Sequence, residues 1–177
     1  MITAASTLVE IAFEICTALD RCGVQSVLCG GSAATFYTDG YRSRDLDFVI
    51  TFGWNRDGAE KALTGLGFRR SGSQYAHAES SFTVDFPPGP LAIGADIIQT
   101  WETVRRGELL LHVLSRTDSV RDRLAGFYFW NDRSNLQTAV LVAKSGPVDF
   151  DTIRDWSRRE GANDKFGEFI RALERSR

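Results

Sequence analysis

The chain has 177 residues, of which 43% are hydrophobic and 25% are charged, and its formal net charge is −2. This is the composition of an ordinary globular protein, and the length suits one well-filled core with a small helical appendage. The near-neutral charge excludes a general attraction to nucleic acid, and no apolar run approaches the roughly 20 residues that a membrane span needs.

The N-terminal segment has apolar residues at helical spacing, which predicts an amphipathic helix over residues 6–22 that ends at Gly23. Glu10 and Glu14 interrupt its apolar residues, and no basic segment precedes it. The pattern is therefore not that of a signal peptide.

The three cysteines are Cys16, Cys22 and Cys29. They are odd in number and lack the spacing of metal ligands. We expect buried free thiols, which are typical of a protein in a reducing cytoplasm.

Strands and helices alternate in the next part of the chain. A short apolar strand over 26–29 turns through Gly30-Gly31 into a short helix, and a second strand follows over 45–52. A helix is predicted over 56–67. Further strand pieces are predicted over 68–72, 74–77 and 81–86, followed by a strand pair over 101–114.

After residue 115 the pattern becomes helical, with helices predicted over 117–130, 134–144, 149–160 and 163–175. Thr117 or Asp118 and, later, Asn163 are the predicted caps. The expected organisation is a mixed α/β core over 1–115 and a C-terminal helical subdomain over 116–177. The short helices of this subdomain need the core to be stable.

Two aspartates lie in the strand predicted over 45–52. Asp45 and Asp47 are two residues apart, so both project from the same face of the strand. Two carboxylates at this spacing repel each other unless a cation neutralises them or one is protonated. A divalent metal satisfies the pair, and Mg²⁺ prefers such hard oxygen ligands and completes its shell with water and substrate phosphates.

A third aspartate, Asp85, is the only acidic residue of the stretch SFTVDF and lies on the face opposite its apolar residues. If this strand pairs with the strand that carries Asp45 and Asp47, three carboxylates converge on one edge of the sheet. Such a set can hold two metal ions in phosphoryl transfer. Alone, each aspartate is more simply interpreted as a solvated carboxylate.

Gly30, Gly31 and Ser32 supply the complementary half of a phosphate site. A strand that turns through two glycines into a helix presents backbone N–H groups to an anion, and the missing Cβ atoms allow close approach. The Ser32 hydroxyl adds a donor. An anion-binding turn followed by a carboxylate pair favours metal-assisted phosphoryl or nucleotidyl transfer.

These residues carry a resemblance to a known family. Gly30-Gly31-Ser32-Ala33, then Ser43-Arg44-Asp45-Leu46-Asp47-Phe48, then an isolated Asp85 resemble the polymerase-β-type nucleotidyltransferases. Within that superfamily the sequence is most similar to the small bacterial AbiEii-like toxins. The resemblance covers about residues 24–86 and, more loosely, 115–142.

The resemblance implies a nucleotidyltransferase-fold mixed sheet flanked by helices, and an enzyme that uses a nucleoside triphosphate with Mg²⁺ or Mn²⁺. It implies that Asp45, Asp47 and Asp85 are metal ligands, with Asp85 as general base or second-metal ligand. Gly30, Gly31 and Ser32 would bind the β- and γ-phosphates. Arg44 should point away from the carboxylates.

In the helical segment the toxin-type relatives carry a lysine and an acidic pattern, where this sequence has Arg121 or Arg123 and then Asp132. By position these three residues would bind the nucleotide. The other interpretation is a solvated helix face with paired charges. Phe127, Tyr128 and Trp130 are expected in the core, because an aromatic stripe at helical spacing usually is.

The resemblance favours transfer of a nucleoside monophosphate to a hydroxyl of RNA, such as a tRNA 3′ end, by the toxin of a toxin–antitoxin pair with a cognate antitoxin. Residues 101–177, with 14 basic and 12 acidic side chains, support RNA only weakly. A protein or a small molecule such as an aminoglycoside is the other possible acceptor. The alternative is a catalytically idle protein that binds nucleotide or acts as a regulatory or antitoxin partner.

Two other enzyme classes are poorly supported. Neither His77 nor His112 lies in a recognisable nucleophile context, which argues against a Ser/His/Asp hydrolase. The sequence also lacks the Gly-rich phosphate loop and the His-Arg-Asp catalytic loop of conventional kinases.

Overall fold

The computed structural model describes residues 2–52 and 56–176, with the side chain of Arg56 excepted. It is a mixed α/β structure in which one sheet carries helices, and the C-terminal part is all helical. The helices are α1 (Leu8–Arg21), α2 (Gly30–Tyr37), α3 (Arg56–Gly65), α4 (Arg116–Trp130), α5 (Arg133–Lys144), α6 (Phe150–Arg159) and α7 (Asn163–Arg175). The strands are β1 (Gln25–Cys29), β2 (Asp45–Phe52), β3 (Arg69–Ser71), β4 (Gln74–Ala76), β5 (Thr83–Asp85), β6 (Ala92–Ile93), β7 (Asp96–Ile97), β8 (Glu102–Arg106) and β9 (Leu109–Val113).

Seven strands form one sheet in the order β3-β4-β5-β2-β1-β9-β8. The pair β1–β2 is antiparallel, whereas β2–β5 and β1–β9 are parallel. The central strands β1, β2 and β5 therefore have neighbours on both sides, and their residues Leu28, Leu46 and Val84 are fully buried.

The helix ends follow from local chemistry. Thr7 and Glu10 form a capping box at the start of α1, and Gly23, with φ +75°, follows its end in the left-handed conformation. Ser115 caps α4 by accepting a hydrogen bond from the Asp118 N–H. The predicted cap at Thr117 or Asp118 is thus wrong by two or three residues.

The C-terminal helices pack on one another, on α2 and, through α4, on β6. One continuous cluster of buried apolar side chains joins both parts, from Phe13 and Leu28 to Phe127, Trp156 and Phe169. Ala162, not Asn163, is the cap residue of α7, and its side chain makes no capping bond. Among the described residues, no helix is long and apolar enough to cross a membrane.

The sequence patterns predicted most elements, but not the hairpin of β6 and β7. These strands have two residues each, with Ala92 opposite Ile97 and Ile93 opposite Asp96. The expectation for the cysteines is met in part, since all three are free but only Cys16 and Cys29 are buried, while Cys22 is half-buried.

Candidate active site

Asp45, Asp47 and Asp85 lie on one face of two adjacent strands. In the parallel pair β2–β5, Asp47 is directly opposite Asp85, and Asp45 is opposite Thr83. Neighbouring strands are about 4.8 Å apart, and paired residues project to the same side. The backbone thus gathers the three carboxylates at one place on the sheet.

Each of the outer two carboxylates accepts a local hydrogen bond. The Ser43 hydroxyl donates to Asp45 Oδ1 over 2.8 Å, and the Phe86 N–H donates to Asp85 Oδ1 over 2.9 Å. Within residues 2–52 and 56–176, no three Asp, Glu, His or Cys side chains stand close enough to hold a metal ion as they are placed. The Phe86 N–H occupies one oxygen of Asp85, and within the described part of the chain no donor is hydrogen-bonded to the other oxygen.

Asp47 is the electrostatic centre of this group. Burial, and then the charges of Asp45 and Asp85, raise the pKa of Asp47 to about 6, while Arg123 acts in the opposite direction. A carboxylate with this surrounding favours a proton or a cation. Three oxygen-donor side chains with excess negative charge fit Mg²⁺ or Mn²⁺ by donor type.

Gly30 makes room for Asp47 at the turn from β1 into α2. Its φ is +62°, and a Cβ built there would lie 2.5 Å from Asp47 Oδ2. Any other residue would be strained by the backbone and would collide with the carboxylate. The first glycine of the pair therefore serves the aspartate as well as the turn.

Gly31 allows the loop between α2 and β2 to close against the helix. A Cβ at Gly31 would lie 2.8 Å from the Tyr41 hydroxyl and 2.9 Å from Ser43 Oγ. The Ser43 N–H in turn donates to Thr35 Oγ1, and Thr35 donates to the Gly31 carbonyl. Ser43 is not among the predicted site residues, although the motif that begins Ser43-Arg44-Asp45 contains it. Its position two residues before Asp45 is the feature that could have identified it.

Ser32 is part of the framework of the site. Its side chain is fully buried, and its hydroxyl donates to the Cys29 carbonyl and accepts from the Asp47 N–H. The hydroxyl thus ties the end of β1 to the strand that carries the carboxylates. Its donor is occupied within the protein, so the side-chain geometry does not support the predicted bond to a phosphate.

Of the three residues predicted to bind the nucleotide in the helical segment, Arg123 is the one whose charge lowers the pKa of Asp47. Its Nε and Nη2 donate to Asp122 Oδ2 over 3.2 and 2.7 Å, and its Nη1 donates to Asn135 Oδ1 over 3.0 Å. These bonds hold the guanidinium in place.

Arg121 does not join this group. It is 5% exposed, pairs with Asp96 and, over 2.8 Å, with Asp118, and stacks on the ring of Trp156. Two carboxylates from β7 and α4 thus satisfy its charge. Its guanidinium is buried in ion pairs within the protein, so the geometry gives the predicted nucleotide-binding role no support, and that role stays a prediction.

Asp132 caps α5. Its Oδ1 accepts from the N–H groups of Ser134 and Asn135, and its Oδ2 accepts from Asn135 Nδ2 over 2.9 Å. Hydrogen bonding from the side chain and the N–H of Ser134, and then from the Asn135 N–H, lowers the pKa of the Asp132 carboxyl. The structure therefore gives Asp132 a capping role and, through Asn135, an indirect connection to Arg123.

The remaining expectations have mixed outcomes. Arg44 is exposed while Asp45 is half-buried, as expected for a rim residue. Phe127 and Tyr128 are buried in the core as predicted, but Trp130 is 77% exposed. The helical stripe ends before Trp130, because this residue is the last of α4.

Comparison with known proteins identifies the fold. The sequence matches no protein-family model and no curated protein. The crystal structure of ANT(2'')-Ia in complex with adenylyl-2''-tobramycin is similar over 92% of this chain and 98% of that chain, with a TM-score of 0.53 and 16% identity. The solution structure of the antibiotic-resistance factor ANT(2'')-Ia is similar over 96% and 94%, with a TM-score of 0.51 and 17% identity.

At this level of identity the likeness is one of fold. ANT(2'')-Ia belongs to the polymerase-β-type nucleotidyltransferases, and the seven-stranded mixed sheet with its helices has the nucleotidyltransferase fold, which confirms the predicted fold class. The narrower resemblance to AbiEii-like toxins stays a prediction from the sequence.

Proposed function

We propose that this protein transfers a nucleoside monophosphate from a nucleoside triphosphate to an acceptor hydroxyl and releases pyrophosphate. The observation that carries the proposal is the register of β2 and β5, which aligns Asp47 with Asp85 and leaves Asp45 on the same face. The glycine turn into α2 lies beside this face, because Gly30 approaches Asp47 Oδ2. A nucleotidyltransferase fold surrounds both features.

Asp45, Asp47 and Asp85 would hold Mg²⁺ or Mn²⁺, which when bound would neutralise phosphate charge and polarise the phosphorus that is attacked. The donor chemistry fits such an ion. The hydrogen bond from the Asp47 N–H to the Ser32 hydroxyl fixes the position of the Asp47 backbone. The Ser43 hydroxyl orients the Asp45 carboxylate.

The N-terminal turn of α2 would bind the β- and γ-phosphates. Backbone N–H groups and the positive end of the helix dipole favour an anion there. Gly30 and Gly31 leave that end of the helix without Cβ atoms. Arg123 adds a positive charge near Asp47, held by Asp122 and Asn135.

Asp85 is suited to accept the proton of the attacking hydroxyl. It is half-buried and next to Asp47, and the Phe86 N–H leaves its second oxygen for another partner. A general base must be within hydrogen-bond reach of the proton that it abstracts. Strand β5 therefore marks the side of the sheet from which the acceptor would approach.

A small polyhydroxylated acceptor is favoured over RNA. This chain and ANT(2'')-Ia match over nearly their whole lengths, and that protein was crystallised with an adenylylated tobramycin. RNA binding needs basic side chains free to contact phosphates, but Arg121 and Arg123 of α4 are held in internal ion pairs. The toxin role, the cognate antitoxin and the RNA acceptor rest on the sequence resemblance alone.

The test is a transfer assay with α-labelled nucleoside triphosphates, Mg²⁺ or Mn²⁺, and three acceptors: aminoglycosides, total RNA and total protein. We expect label in an aminoglycoside fraction, and loss of that label in the Asp45→Asn variant. Asp39→Asn is the matched control, because Asp39 is an exposed carboxylate on the preceding loop. Label in no fraction would favour the catalytically idle alternative, and label in RNA would restore the toxin-type acceptor.

A further inference from the structure

A cavity of about 330 Å³ opens beside Asp47. Asp47 and Val49 line it, whereas Asp45 does not, so it lies along β2 on the side of Asp47 away from Asp45. Gly30 borders it at the start of α2. Its volume is within the roughly 300–1,000 Å³ of small-molecule sites.

Much of the cavity's lining is apolar. Pro87, Pro88, Pro90 and Leu91 supply it, and this segment directly follows β5 and lies against β2 at Gly89. The polar side chain Asp122 also borders the cavity, but its Oδ2 is bonded to Arg123. Apart from Asp47 and Asp122, the side chains that line the cavity are apolar or cysteine, which suits a flat heteroaromatic ring.

The direction of the reaction explains why a ring should lie here. In phosphoryl transfer the attacking and leaving oxygens are roughly in line. The leaving pyrophosphate belongs at α2, after β1, and the attacking hydroxyl belongs at Asp85 on β5, with β2 between them. The line of attack thus crosses the strands. The nucleoside is attached to the attacked phosphorus and must lie to the side of the line between the attacking and leaving oxygens. The cavity extends along β2, at right angles to that line.

We propose that this cavity binds the nucleoside of the triphosphate, a purine in preference to a pyrimidine, between the proline segment and the face of β2. The inference rests on the proposed function. A purine is favoured because a larger ring buries more apolar area. The acceptor would then bind on the side of β5, outside the cavity, and would not compete with the nucleoside.

Ala92 offers a way to fill the cavity. It lines the cavity and is exposed on β6, whereas its neighbour Ile93 is buried. An Ala92→Trp side chain would occupy the space, and Ala92→Leu would occupy part of it. Ala95 is exposed in the turn of the same hairpin and does not line the cavity, so Ala95→Trp is the matched control.

The experiment is calorimetric titration of the full chain with ATP and with inorganic tripolyphosphate, each with Mg²⁺. The wild type should bind both ligands, and should bind ATP and GTP about fivefold more tightly than CTP and UTP. Ala92→Trp should lower the affinity for ATP by about tenfold or more and leave the affinity for tripolyphosphate unchanged. Ala92→Leu should fall between, and Ala95→Trp should match the wild type.

Each other outcome contradicts a distinct statement. If Ala92→Trp binds ATP as tightly as the wild type does, the cavity is not the nucleoside site. The same conclusion follows if its affinity for tripolyphosphate falls as much as its affinity for ATP. Equal affinity for purines and pyrimidines overturns the purine preference. If the wild type binds neither ATP nor tripolyphosphate, the proposed function itself fails. Melting curves of all variants check that each is folded. If Ala92→Trp is unfolded, the ATP affinity of Ala92→Leu is used to test the cavity instead.

Discussion

Two groups of charged side chains differ in how their charges are balanced. On β2 and β5, Asp45, Asp47 and Asp85 face one another, and two of them raise the pKa of the third. Around α4, Arg121 and Arg159 share the carboxylate of Asp96, so opposite charges meet.

Paired opposite charges and gathered like charges have different roles in this fold. Opposite charges that are paired stabilise a buried junction between helices and the β6–β7 hairpin. Like charges gathered without an equal number of cations cost stability, and they are retained where a ligand supplies the missing charge. Substitutions in the first group should affect activity most, and those in the second should affect stability most.

Asp47→Asn should have the largest effect, a loss of about 10³-fold or more in transfer rate, because it removes the central carboxylate. The metal-free variant should nevertheless melt higher than the wild type at pH 7. A carboxyl whose pKa is raised from 3.8 to about 6 destabilises the fold as pH rises through that interval, and the amide lacks this effect. Transfer assays and melting curves at pH 4 to 8 measure both. A lower melting temperature of the variant at pH 7 would contradict the charge argument.

Arg121→Met should have the next largest effect, a loss of about 2–3 kcal/mol of unfolding free energy, because it leaves the half-buried Asp118 without its cation and Asp96 with Arg159 alone. The control Arg154→Met breaks the exposed pair with Asp151 and should change stability by less than about 0.5 kcal/mol. Urea unfolding compares them. Full stability of Arg121→Met with lost nucleotide binding would restore the nucleotide-binding role.

Gly30→Ala should have the smallest of the three effects, and the chain contains its control. Gly30 and Gly72 have φ of +62° and +64°, but a Cβ at Gly72 meets nothing within 4 Å. Each substitution should cost about 1 kcal/mol for the backbone. The excess for Gly30→Ala measures the collision with Asp47, and only this variant should lose metal affinity. Equal behaviour of the two variants would mean that Asp47 moves aside freely.

Local patterns in the sequence predicted the carboxylate strand well. The two-residue period places Asp45 and Asp47 on one face of β2, and the glycine turn predicts the start of α2. The pairing of β2 with β5 could only be assumed, because register between strands that are 30 residues or more apart depends on the whole sheet.

The failures share a physical cause. Arg121 and Arg123 are two residues apart and look alike in the sequence, yet a carboxylate from the β6–β7 hairpin decides the role of Arg121. That hairpin was itself missed, since strands of two residues leave no periodic pattern. The sequence also does not show that the Ser32 hydroxyl accepts a hydrogen bond from the Asp47 N–H, because that contact joins residues 15 positions apart.

The most direct test of the central claim is a titration with Mn²⁺, followed by electron paramagnetic resonance, in the presence of a non-hydrolysable ATP analogue. We expect the wild type to bind Mn²⁺ more tightly with the analogue than without it. We also expect Asp47→Asn to abolish this gain and Asp39→Asn to retain it. Equal Mn²⁺ binding by wild type and Asp47→Asn, with and without the nucleotide analogue, would contradict the claim that these carboxylates form a metal–nucleotide site.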